Sequence, residues 1–198
     1  MAEPGLDVQR ANWDRRHGEA AEVGAPAEVL VENAHLLPAR GTVLDLACGR
    51  GANALWLARH TRLAVQAWDF SAVAIARLRN EAEARSLRVD AQVRDVLAEP
   101  PPAAAFDVIV VGHFLERALF PPLQAALRPG GLLFYQTFTR EAVSERGPRT
   151  PAWRLETNEL LALLPGLIVR AYREEGTIGD TARGLRDVAY VVAEKPIS

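Results

Sequence analysis

Val43-Leu44-Asp45-Leu46-Ala47-Cys48-Gly49-Arg50-Gly51 decides the fold of this 198-residue chain. An apolar run carrying one acid passes into a turn with two glycines, and the helical run Asn53 to His60 follows. A short apolar run bounded by turn residues reads as a buried strand. Gly49 and Gly51 carry no Cβ, so the backbone there can turn tightly and come close to a ligand. Twenty residues after Gly49 a second apolar run, Leu63 to Trp68, ends at Asp69. A first βαβ unit places a carboxylate at that point, where it accepts hydrogen bonds from ribose hydroxyls. The ligand expected is therefore a cofactor carrying adenosine.

The alternation continues along the chain. Ser71 is a good N-cap for a helix over Ala72 to Arg85, whose apolar positions Val73, Ile75, Ala76, Leu78 and Ala82 fall near one face. Val89 to Val93 reads as a third strand leading into Arg94-Asp95-Val96. Phe106 to Val111 is nearly continuous in β-branched residues, as strands buried on both faces of a parallel sheet are, and it stops at Gly112-His113. A helix over Pro121 to Leu127 ends at Arg128-Pro129-Gly130-Gly131, and a fifth strand runs from Leu132 to Thr137. The predicted strand ends carry Asp45, Asp69, Asp95, Gly112-His113 and Gln136-Thr137, and ligands of open α/β sheets bind outside such ends.

Gly49-Arg50-Gly51-Ala52-Asn53-Ala54 also satisfies the loose G-x-G-x-x-G/A fingerprint of nicotinamide and flavin binders. Such a site lays a pyrophosphate across the turn, beside Asp45. Like charges about 4 Å apart at an effective dielectric near 20 repel by roughly 4 kcal/mol. S-adenosylmethionine carries a sulfonium and an ammonium instead, and the same acid attracts it. The methyl donor is favoured, with a nicotinamide-dependent oxidoreductase as the lesser reading.

These motifs, in this order, resemble those of the class I S-adenosylmethionine-dependent methyltransferases over most of the chain. The resemblance implies a Rossmann-like three-layer α/β sandwich with a mostly parallel seven-stranded sheet and an antiparallel last strand. It also implies that Asp45 faces the cofactor's amino group and that Ala47, Gly49 and Gly112 border its methionine part. Asp69, followed by Phe70, takes the ribose, and Asp95 with the Val96 amide reads the adenine edge. Trp13 and Asn53 complete the expected cofactor set. Within the superfamily the chain is similar to the small bacterial tellurite-resistance and thiopurine methyltransferase branch. The likeness rests on Asn12-Trp13-Asp14-Arg15-Arg16, Asn53, Ala67-Trp68-Asp69, and a closing Leu185 to Lys195 strand after the strand Val169 to Glu175. Tellurite-type members carry an arginine directly before the helix asparagine, whereas this chain has Ala52, which leaves the acceptor open.

With 49% hydrophobic residues the chain can bury one sizeable core, so a single domain is expected over residues 1–198. Its parts are an N-terminal helical arm or lid (1–37), a cofactor half (42–137), a substrate-side loop (138–157) and a C-terminal helix with a strand pair (158–198). A net charge of -2 and a pI of about 6.1 argue against nucleic acid and anionic membranes as partners. The N-terminus shows no apolar signal core, which points to the cytoplasm; a monomer or weak homodimer is expected. Cys48 is the one cysteine, excluding an internal disulfide or a cysteine-rich metal cluster.

Methyl transfer is an in-line displacement that depends chiefly on holding the acceptor about 3 to 3.5 Å from the methyl. Soft acceptors such as thiolates, selenides or tellurium oxyanions need no base, while a hydroxyl or neutral thiol benefits from one. His113, directly after the fourth strand, is the candidate base, with capping of its own turn as the alternative. Trp13 can lid the site or anchor the arm. Residues Phe138 to Thr157 are too long for an ordinary connection, and among them Arg140, Arg149 and Trp153, with Tyr135 on the preceding strand, are the candidate acceptor contacts. The expected activity is methyl transfer to a small soft or anionic molecule; a non-catalytic cofactor-binding module is the alternative.

Overall fold

A computed structural model describes residues 11, 14, 15, 18 and 22–197, which leaves Trp13 outside the described residues. Five α-helices are described: α1 (Glu28–Glu32), α2 (Ala52–His60), α3 (Ala72–Ala84), α4 (Phe120–Ala126) and α5 (Glu159–Ala162). The strands are β1 (Thr42–Leu46), β2 (Ala64–Asp69), β3 (Asp90–Val93), β4 (Phe106–Gly112), β5 (Leu127–Phe138), β6 (Ile168–Glu174) and β7 (Val188–Glu194). They form one sheet in the order β3-β2-β1-β4-β5-β7-β6. β7 alone runs antiparallel to its neighbours, β5 and β6. The chain thus has the mostly parallel seven-stranded sheet expected from sequence.

Side-chain alternation along the strands feeds two apolar layers. On one face Val43, Val108, Val110 and Val192 pack with Leu30, Leu57, Ile75 and Leu78 of α1 to α3. On the other Leu44, Ile109, Val111 and Tyr135 pack with Phe120 and Leu123 of α4 and Leu160 of α5. Ser71 caps α3 as its sequence suggests, its Oγ accepting from the Ala74 amide at 3.1 Å. Strand order reverses between β1 and β4, so Asp45 and Gly112 flank the crevice where such sheets bind ligands.

The boundaries differ from expectation at the carboxyl end of the chain. Arg128-Pro129-Gly130-Gly131 does not form a turn ahead of β5 but is drawn into the strand. The Gly130 amide donates to the Lys195 carbonyl at 2.8 Å and the Lys195 amide to Gly131 at 2.9 Å. β7 starts at Val188 rather than Leu185, because the Leu185 amide is taken by the Glu175 carboxylate at 3.0 Å and Asp187 turns the chain at φ 68°. Among the described residues no helix is long and apolar enough to cross a membrane.

Candidate cofactor and acceptor site

The glycine turn is built around Asp69. One carboxylate oxygen accepts from the Gly49 amide at 2.8 Å and the other from the Ser71 amide at 2.9 Å, with 7% of the residue exposed. Ala47, Gly49 and Gly51 all take left-handed backbone, at φ 54°, 52° and 79°. At Gly51 a Cβ would run into the Leu78 side chain, so glycine there serves packing as well as the turn. The Cys48 thiol is pushed well up by burial and by the charges of Asp45 and Asp69, which leaves it an inert packing group.

Asp45 lies beneath the turn with no exposed surface. Its oxygens accept from Asn53 Nδ2 at 3.2 Å and the Ala54 amide at 3.0 Å. Burial pushes its pKa up to about 7, and neighbouring Asp69 adds to the rise. Asn53 also accepts from the Ala27 amide at 2.8 Å, so its side chain ties the segment before α1 to the acid beneath. A Cβ at Gly112 would stand 3.1 Å from Asn53 Nδ2 and 3.6 Å from Ala27 Cβ, which shows how closely the arm approaches β4. Asp45 and Asn53 therefore act from below, through groups already joined to protein.

Asp95 folds its own loop, one oxygen accepting from the Leu97 amide at 3.0 Å and from Ala98 at 3.3 Å. Val96 is buried against the layer that holds Trp68 and Phe106. Phe70 is half-buried between Asp69 and the α3 cap. The Arg94 guanidinium lies 4.0 Å over the Trp68 ring, and its amide donates to the Asp69 carbonyl at 2.8 Å, joining the ends of β2 and β3.

At the ends of β4 and β5 stands a second polar group. His113 takes φ 60°, and its amide donates to the Gln136 carbonyl at 2.7 Å. Its ring lies against Phe138 with centroids 5.0 Å apart. Gln136 is wholly buried; its Oε1 accepts from the Val29 amide at 2.8 Å and its Nε2 donates to the Glu28 carboxylate. Those two partners fix the amide so that its NH2 lies 3.5 Å from His113 Nε2. Desolvation lowers the His113 pKa, Glu28 opposes and Arg146 adds to the fall, so the ring is neutral at pH 7. Burial works against ionisation of Glu28, but the bond from Gln136, with His113 and Arg146, more than offsets it.

Two acceptor expectations need correction. Tyr135 is 1% exposed on the opposite face of β5, stacked near Phe120, and its hydroxyl donates to the Phe114 carbonyl at 2.7 Å. Strand alternation turns Gln136, not Tyr135, toward His113. Arg140 is spent within its loop, on Glu156 at 2.6 Å and the Pro151 carbonyl at 3.3 Å. Arg146, Arg149 and Trp153 are exposed on that loop.

The loop itself is stitched from inside. Arg154 donates to the carbonyls of Thr139 at 2.8 Å, Pro148 at 2.7 Å and Arg146. Asp187 accepts from the Val143 and Ser144 amides at 2.6 and 3.0 Å and from Ser144 Oγ at 2.5 Å. Glu28 and Asp187 were missed in the sequence because their partners lie far along the chain.

Residues 43–131 match a family described as "Methyltransferase domain". That stretch is similar to the methyltransferase family over 89 of the chain's 198 residues. The ubiquinone biosynthesis O-methyltransferase of Methylocella silvestris is 32% identical over 162 residues, covering 72% of this chain and 63% of that protein. The chain thus spans under two thirds of that relative's length. The sheet and its helices superpose on a structure described under the conversion of a disulfide bond into a thioacetal group during echinomycin biosynthesis, with TM-score 0.72, 24% identity and coverage of 96% and 92% of the two chains. TehB from Haemophilus influenzae superposes with TM-score 0.70 and 21% identity, covering 92% of this chain and 67% of that one. These low-identity likenesses show a common fold and do not choose a branch of methyltransferases. The cofactor that the methyltransferase domain and its structural neighbours imply is S-adenosylmethionine.

Proposed function

We propose that the chain is an S-adenosylmethionine-dependent methyltransferase acting on a small-molecule acceptor. The observation that carries this reading is the pair of carboxylates at the glycine turn. Asp69 is held by the turn's amides at the surface of the crevice, and Asp45 lies below it. Two neighbouring acids favour a cationic nucleoside and oppose a pyrophosphate. Asp69 would hold the ribose hydroxyls, its carboxylate being oriented at the end of β2 by the Gly49 and Ser71 amides. Ala47, Gly49 and Gly112 would border the methionine part, with Asp45 and Asn53 beneath, Asp95 and the Val96 amide at the adenine edge, and Phe70 and Trp13 completing the set.

The bound cofactor supplies an electrophilic methyl on a sulfonium. The chain's own part is to orient the acceptor and exclude water. The segment 27–29 is fastened by Asn53 of α2 and Gln136 of β5 and approaches Gly112 of β4. His113 stands at the acceptor end, neutral and therefore able to take or share a proton of a hydroxyl or thiol acceptor. The acceptors that fit are soft nucleophiles such as thiols or tellurium oxyanions, by resemblance, and hydroxyls, by the 32%-identical O-methyltransferase. The reading places the enzyme in the cytoplasm as a monomer or weak homodimer, and the net charge of -2 speaks against a nucleic-acid partner.

Calorimetry with S-adenosylmethionine, S-adenosylhomocysteine and a nicotinamide dinucleotide tests the cofactor. Methyl-labelled cofactor offered to thiols, selenite, tellurite and hydroxylated metabolites tests turnover. Binding of the first two ligands with turnover of at least one acceptor is expected. Preference for the dinucleotide refutes the reading, and tight cofactor binding without turnover makes the chain a binding module.

A further inference from the structure

The loop 139–157 carries Arg140, Arg146, Arg149 and Arg154, and the structure uses them unequally. Arg140 and Arg154 are consumed by the loop's own carbonyls and Glu156. Arg146 is different. Among the described residues its guanidinium makes no hydrogen bond and no ion pair, while its backbone is fixed from both sides. Its carbonyl accepts from Arg154 and its amide donates to Ser144 Oγ at 3.2 Å, where Ser144 is itself bound to Asp187. The next residue, Gly147, takes φ 86° and lies so flat on Phe138 that a Cβ would stand 2.6 Å from the ring. That same ring packs 5.0 Å from His113. The loop thus delivers a fixed stem at Arg146 beside the acceptor end, and the charge acts on His113, Glu28 and Asp187. Neither carboxylate is open to it as a forked partner, since Asp187 already accepts three donors and Glu28 is turned to Gln136. A guanidinium left with its fork unfilled matches a carboxylate or other planar oxyanion.

We propose that Arg146 is the specificity-determining residue of the acceptor site and selects acceptors bearing a carboxylate, which it binds while the reacting atom lies against His113. The proposal rests on the His113 end of the crevice being the acceptor side. It narrows the acceptors from any small nucleophile to acidic ones, and assigns selection to Arg146 rather than Arg140 or Arg149.

Benzoate and its neutral analogue benzamide are the probes, titrated into the full chain with and without saturating S-adenosylhomocysteine. Binding is read by calorimetry and by the ring NMR signals of His113, assigned by their loss in His113→Asn. Benzoate is expected to shift those signals and to bind at least tenfold more tightly than benzamide. Arg146→Ala is expected to bring benzoate down to the benzamide level, Arg146→Lys to recover part of the difference, and Arg149→Ala to match the wild type. Equal binding of both probes, binding of neither, no effect of Arg146→Ala, or an equal loss in Arg149→Ala each overturns the proposal. Failure of the methyltransferase reading is separate: it appears as no binding of S-adenosylhomocysteine, and the benzoate titration without cofactor still reports on Arg146.

Discussion

Replacing Asp69 by alanine tests the turn and the cofactor site in one experiment. The carboxylate accepts from the Gly49 and Ser71 amides at 2.8 and 2.9 Å, and both are nearly closed off, with 7% of Asp69 exposed. Hydrogen bonds to a charged group contribute about 1.5–3 kcal/mol each, so the two together amount to about 3–6 kcal/mol. Water entering from the crevice replaces part of this, and a loss of about 3 kcal/mol is expected for the unliganded protein. With a urea slope of about 2 kcal/mol/M, the midpoint falls by about 1.5 M. Asparagine does not rescue the turn, because its NH2 faces one of the two amide donors. Cofactor binding adds a second readout. A ligand at about 100 times its Kd stabilises by about 2.7 kcal/mol, and a thirtyfold weaker Kd leaves under about 1 kcal/mol. Urea melts of wild type and Asp69→Ala, with and without S-adenosylhomocysteine, measure both quantities. An unchanged midpoint refutes the structural role, and an unchanged ligand-induced shift refutes the ribose assignment.

Further outcomes follow from other buried groups. Asp45 has its folded pKa raised to about 7 from an ordinary value of about 3.9, so folding favours its protonated form and stability is lost as pH rises from about 4 to about 7. The span amounts to about 4 kcal/mol. Other acids with lowered pKa values pull the opposite way, so the readout is the stability difference between wild type and Asp45→Asn, which should slope across that window and flatten above it; a flat difference throughout counts against the assignment. Tyr135→Phe removes the bond to the Phe114 carbonyl and should cost about 1 kcal/mol of stability with acceptor KM unchanged. A raised KM at full stability would place Tyr135 in the acceptor pocket after all. Gly51→Ala forces a side chain onto left-handed backbone and against Leu78, and should destabilise by about 2–4 kcal/mol in thermal or urea melts.

The cofactor half was legible because its signals are local. β1, α2, β2 and α3 each show their apolar pattern locally, α3 with its Ser71 cap, and the observed bounds Thr42–Leu46, Ala52–His60, Ala64–Asp69 and Ala72–Ala84 lie within one or two positions of expectation. Where expectation slipped, long-range pairing overrode local chemistry. Pro129-Gly130-Gly131 has the composition of a turn, yet Lys195 is near in space and its backbone completes the ladder. Leu185 has the apolar character of a strand start, yet Glu175 takes its amide.

The acceptor end was less legible, for a reason that Tyr135 and Gln136 make concrete. Both lie on β5 and both are plausible contacts, but the strand period of two sends them to opposite layers, and a shift of one residue exchanges them. Only the register that pairs Gln136 with Gly112 of β4 settles the parity, by setting the Gln136 amide beside Val29, Glu28 and His113. The arginines of the loop pose the same difficulty. Composition counts them alike, whereas tertiary contact sorts them, because Arg154 reaches the Thr139, Pro148 and Arg146 carbonyls and Arg140 reaches Glu156. A charge that the fold has already neutralised holds the loop in shape. A charge fixed in place and left without a forked partner is the one with binding capacity to offer, which directs the substrate test to Arg146.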